Sequence, residues 1–158
     1  GAGGEASAGT NAGGAGAGAG QAGAAQVDPG QVSFQHDLVP LLDRSCALSG
    51  CHTSPATSYI PLQLGPSKNI SAGEVRAQLM TPEAPLGTGS LLLISPGNPG
   101  DSFLFRKLTA DWSGLPCAAD GCGSVMPPKK HQGEPTKGLS PGEIALFSAW
   151  ITQGAPDN

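Results

Sequence analysis

The clearest periodicity in the chain lies near its end. Ser140-Pro141-Gly142-Glu143 sets a hydroxyl at a helix N-cap, proline at the first helical position and a carboxylate three residues past the cap, the reciprocal arrangement that satisfies two open N–H groups. Ile144, Phe147 and Ile151 then recur at i, i+3 and i+7 with Leu146 and Trp150 beside them, which predicts a helix over 141–153 with one buried face. Gly154 and Pro156 end it.

Three weaker signals precede it. Asp37 is predicted to cap a helix from Leu38 to about Ser45, with Pro40 in its first turn and Leu38, Leu41, Leu42 and Ser45 at helical spacing. Ser71-Ala72-Gly73-Glu74 is a second capping box, opening a short helix through Val75 and Leu79. Asn98-Pro99-Gly100-Asp101 offers a cap, an N1 proline and an N3 acid ahead of Phe103, Leu104, Phe105 and Leu108. Leu91 to Ile94 reads as a short buried strand or extended segment, far below the span of a bilayer. The pattern predicts an all-α domain with long loops, its first helix crossing its last so that Phe147 and Trp150 meet the Leu38 to Leu42 face.

Composition changes this picture at one end. The first 26 residues hold ten glycines and ten alanines, too little side chain to bury and too much backbone entropy to order, so 1–27 is expected to be a flexible linker and 28–158 the folded domain. Such a tether suits a protein held near a membrane or a larger assembly, and any export signal is expected to have been removed already. Eight Lys and Arg against twelve Asp and Glu give a net charge of −4, which argues against nucleic acid or an anionic membrane surface as a partner.

Candidate chemistry concentrates in Cys46-Ala47-Leu48-Ser49-Gly50-Cys51-His52. Covalent haem attachment needs two thiols to meet two vinyl groups and an imidazole directly after the second thiol to come up beneath the iron. The usual spacing is two residues, and here four lie between the cysteines. The adjacency of Cys51 and His52 is the feature that matters, and Gly50 tolerates the positive φ that would let the extra residues bulge outward.

Phe34 and Asp37-Leu38-Val39-Pro40-Leu41-Leu42, leading into Cys46, Cys51 and His52, resemble the opening of small exported bacterial class I c-type cytochromes. The resemblance continues through Pro96-Gly97-Asn98-Pro99, Ser102-Phe103-Leu104-Phe105-Arg106-Lys107-Leu108, Val125-Met126-Pro127-Pro128, Leu139-Ser140-Pro141-Gly142-Glu143-Ile144 and Trp150-Ile151, roughly residues 32 to 156. It implies one covalent haem c, with His52 as proximal and Met126 as distal iron ligand. It further implies a monomeric electron carrier outside the cytoplasm, periplasmic or extracellular, that meets redox partner proteins. Cys117 and Cys122 depart from the family pattern. No histidine follows Cys122, so the pair is read as a disulfide that ties the loop before Met126 into a small ring. His36 and His131 are the alternative distal ligands, or else solvated histidines. Lys129, Lys130 and Lys137 form a cationic patch that would steer an acidic redox partner or be an ordinary solvated face. With Met126 on the iron the sixth position is closed, so electron transfer rather than an enzymatic reaction is the expected function.

Two other readings compete. One is a secreted, cofactor-free interaction or spacer domain with disulfides Cys46–Cys51 and Cys117–Cys122. The other is a zinc module built from the four cysteines, or with His52 replacing one thiolate.

Overall fold

The structure is a computed structural model that describes residues 1, 32–53, 62–65, 70–81, 91–115, 117, 121–131 and 133–158. Beyond Gly1, the linker expected over 1–27 lies outside the described residues. The fold is all-α, as its periodicity predicts: α1 spans Val39–Ser45, α2 Ala72–Leu79, α3 Phe103–Thr109 and α4 Pro141–Thr152. A single π-type turn, Phe34–Leu38, leads into α1. A minimal antiparallel hairpin pairs β1 (Lys130–His131) with β2 (Glu134–Pro135), Lys130 opposite Pro135.

Both capping boxes form. Ser71 N–H donates to Glu74 Oε2 at 2.7 Å and Glu74 N–H to Ser71 Oγ at 3.1 Å. Ser140 N–H likewise donates to Glu143 Oε2 at 2.7 Å and Glu143 N–H to Ser140 Oγ at 3.3 Å. Each hydroxyl cap of this kind stabilises its helix by about 1 kcal/mol. The Glu143 carboxylate also pairs with Arg44 and so joins the start of α4 to α1. At the other end of α4, Gly154 takes φ +91° and its N–H donates to Ile151 O at 2.9 Å, ending the helix where expected.

The first helical turn starts earlier than the sequence predicts. Ser33, not Asp37, is the cap: its hydroxyl accepts from His36 N–H at 3.2 Å, while its own N–H donates to Asp37 Oδ2 at 2.7 Å. Asp37 therefore closes the turn instead of opening the helix. The cause is distant in sequence. Asn158 accepts from Phe34 N–H through Oδ1 at 2.9 Å and from Gln35 N–H through its carbonyl oxygen at 2.9 Å, so the last residue satisfies donors that would otherwise be open at the helix start.

The third predicted helix is split. Pro99–Asp101 forms a 3₁₀ turn, Ser102 is extended at φ −101°, ψ 116°, and α3 begins only at Phe103. Asn98 makes no side-chain cap. Instead Phe103 N–H donates to Leu92 O at 2.9 Å and Leu104 N–H to Leu93 O at 3.0 Å, so the extended Leu91–Ile94 segment supplies carbonyls to the first turn of α3. Ser102 Oγ, wholly buried, donates to Asn98 O at 2.9 Å and accepts from Ser95 N–H at 2.8 Å, locking the corner.

Trp150 sits at the centre of the core with no exposed surface. Its ring lies 5.0 Å from that of Phe34, and its Nε1–H donates to Pro156 O at 2.9 Å. Phe147 and Ile151 are buried beside it, whereas Ile144 is only half-buried. The contact expected between α1 and α4 is made mainly one turn earlier, because α4 packs on the Phe34–Leu38 turn and on α3. α2 is tied to the same end of the molecule by Arg76, whose Nε and Nη2 both donate to Ala155 O, at 2.9 and 2.7 Å.

Candidate functional site

The segment after α1 folds back on itself. Cys46 N–H and Ala47 N–H both donate to Leu42 O, at 2.8 and 3.0 Å, which ends the helix on the first cysteine. Cys51 N–H reaches Leu48 O at 2.8 Å, and His52 N–H reaches Cys46 O at 3.3 Å. These bonds close a loop in which Ser49 and Gly50 are exposed and Gly50 takes φ +79°. The four-residue spacer is thus absorbed by an outward turn that favours glycine at its tip.

Cys46 and Cys51 are thiols, not joined to each other. Cys46 is buried and Cys51 half-exposed, so the loop presents one thiol to the core and one to its rim. Burial pushes the Cys46 thiol up to about 12, with the neighbouring Cys51 adding to the shift and Arg44 opposing it. Burial also raises Cys51. In protein prepared without a cofactor, iodoacetamide at pH 8 should therefore label Cys51 and spare Cys46, whose thiolate fraction there is about one in ten thousand. Peptide mapping of the alkylated protein reads this, and equal labelling would mean that Cys46 is not held in the core.

His52 is oriented by the chain that follows it. Its Nδ1 lies 2.9 Å from Leu62 O, and Leu64 N–H donates to His52 O at 2.9 Å. A carbonyl only accepts, so Nδ1 carries the proton and the lone pair is on Nε2. Among the described residues nothing hydrogen-bonds Nε2. Burial holds the ring below its ordinary pKa, against the Leu62 bond, and the Lys107 ammonium adds to the burial effect. A neutral imidazole with its tautomer set by a backbone carbonyl is the form that binds a metal.

Met126 is half-buried, and its N–H donates to Lys107 O at 2.8 Å. Cys117 and Cys122 are joined as a disulfide, with Cα atoms 5.0 Å apart, four residues before it. His36 is exposed on the first turn. His131 lies in β1, and its side chain is outside the described residues. Lys129, Lys130 and Lys137 are all exposed. Thr136 brings the ends of this stretch together, its N–H donating to Lys129 O at 3.1 Å and its hydroxyl to Pro128 O.

Lys107 had no special signal in the sequence, where it reads as one polar position in a short helix. It is 7% exposed, its Nζ lies 5.6 Å and 5.4 Å from the Phe103 and Trp112 ring centroids, and it donates to Cys122 O at 3.2 Å. Only its burial and its bond to Cys122 O mark it out, and neither is legible in a one-dimensional pattern.

No protein-family description, curated protein or solved structure matches the chain. Its function therefore rests on the chemistry of the residues themselves. Among the described residues no three His, Cys, Asp or Glu side chains converge as a metal's donor set, and a four-thiolate zinc site cannot form while Cys117 and Cys122 are joined. Covalent haem attachment would draw on the two thiols and the imidazole of the Cys46–His52 loop.

Proposed function

We propose that this domain belongs to the class of proteins that hold haem covalently through a Cys-x₄-Cys-His loop, with a cytochrome c-like arrangement of its helices. More particularly, the chain is a monohaem electron carrier working outside the cytoplasm, with Cys46 and Cys51 as thioether residues and His52 and Met126 as axial ligands. The observation that carries this reading is the bond from His52 Nδ1 to Leu62 O, which leaves Nε2 as the nitrogen that would ligate iron, directly after the second cysteine of the loop.

Bound haem supplies reversible one-electron cycling of its iron. The chain's own residues do the rest. Cys46 anchors from within the core and Cys51 from the rim. Leu62 fixes the His52 tautomer and raises its basicity as a ligand. Met126 brings a neutral, soft thioether that favours the ferrous state and raises the potential. The Cys117–Cys122 disulfide supports an oxidising compartment, periplasmic or extracellular, and limits the freedom of the loop that leads to Met126. The glycine- and alanine-rich head serves as a tether beside a membrane or a larger assembly, and the exposed lysines of the hairpin region suit a redox partner with an acidic face. The two-disulfide spacer reading differs in joining Cys46 to Cys51, and the mass of the native protein separates the two.

One spectrum tests this. The native protein should be red, with a sharp Soret band that stays with the polypeptide through acid-acetone extraction. Its mass should exceed that of the polypeptide by one haem, less the two hydrogens lost at Cys117 and Cys122. A colourless protein with four titratable thiols would overturn the proposal.

A further inference from the structure

Lys107 is a cation buried where no carboxylate pairs with it among the described residues. Taking an ammonium out of water without a counter-ion is costly, and such a residue persists where an apolar one could not make its contacts. Among the described residues, its hydrogen bonds outside α3 bear on one short piece of chain. The ammonium donates to Cys122 O at 3.2 Å, and the backbone carbonyl of the same residue accepts from Met126 N–H at 2.8 Å. Between these two points Gly123 and Ser124 are exposed and Val125 is half-buried, so the segment has little packing of its own. The Phe103 and Trp112 rings flank the ammonium at 5.6 and 5.4 Å and direct it.

We infer that Lys107 is a positioning residue that clamps residues 122–126 onto α3 at both ends, an inference that rests on the distal role proposed for Met126. The disulfide fixes Cys122 to Cys117, and among the described residues no hydrogen bond runs from either cysteine to Met126. Lys107 supplies the missing link, since one residue of a helix seated in the core holds the end of the disulfide ring through its side chain and the start of the Met-Pro-Pro stretch through its backbone.

The test uses haem-loaded protein and the variant Lys107→Met, which keeps the apolar stem and removes the donor. Hydrogen bonds from charged donors bear on equilibria by about ten- to a hundredfold, so cyanide should bind the ferric variant about tenfold faster or more. The weak sulfur-to-iron charge-transfer band should fade while the covalent Soret band stays. Thr109→Ala, at an exposed position two residues further along the same helix, should change neither. Hydrogen exchange on the wild-type chain provides the second measurement and needs no variant to fold: the Met126 amide should be protected while that of Ser124 exchanges freely. Lys107→Met with an unaltered band and unaltered cyanide kinetics would overturn the inference, as would a Met126 amide as fast as Ser124's. Absence of haem from the wild-type chain is failure of the functional reading instead, and the exchange measurement still decides whether residues 122–126 are clamped.

Discussion

Met126→Ala should remove the sulfur-to-iron charge-transfer band at the red end of the ferric spectrum, lower the reduction potential and open the iron to cyanide and imidazole. Axial ligands set haem potentials over a range of about 0.8 V, and loss of a thioether is expected to use on the order of 0.1 V of it. The sign follows from the chemistry of the donor, since a neutral, polarizable sulfur stabilises ferrous iron more than ferric. Met80 is the internal control. It follows α2 directly, at the C-cap of that helix, and its replacement by Ala should leave band and potential unchanged. Redox titration followed by absorbance measures both variants. Should Met126→Ala keep the band, or His131→Ala alter it, the distal ligand is not Met126.

Trp150→Ala should be the most destabilising single change in the core. The indole is fully buried against Phe34, and its N–H is bonded to Pro156 O. Truncation therefore leaves a cavity, strips the aromatic contact that joins α4 to the first turn, and orphans a carbonyl that helps shape the chain after α4. Large-to-small changes at such sites cost about 3–5 kcal/mol, a large share of the roughly 5–15 kcal/mol by which domains of this size are stable. The urea midpoint, followed by far-ultraviolet circular dichroism, should fall accordingly. Leu146→Ala, on the half-buried flank of the same helix, should move it by a small fraction of that. Similar midpoints for the two variants would mean that the core does not centre on Trp150.

The physical range of each signal separates what could be read from the sequence from what could not. Ser71 with Glu74, and Ser140 with Glu143, are three residues apart, and the cap they form depends on little beyond that spacing, so both boxes and the helices behind them were legible. The same holds for the loop from Cys46 to His52, where adjacency of the second thiol and the imidazole and a glycine suited to positive φ are local facts, and for the Cys117–Cys122 disulfide, which spans five positions.

What only the tertiary structure decided was set by partners that spacing cannot reveal. The first turn opens at Ser33 rather than Asp37 because Asn158, 124 residues on, satisfies the Phe34 N–H. The third helix breaks at Ser102 because the carbonyls of Leu92 and Leu93 meet its first amides, leaving Asn98 nothing to cap. His52 acquires its tautomer from Leu62, ten residues away, and Lys107 acquires its role from Cys122 and Met126, which approach it only once α3 is seated. Hydrophobic period and capping chemistry act within one or two turns of chain, whereas the donors and acceptors that orient the candidate site find their partners by burial, and burial is a property of the whole packed domain.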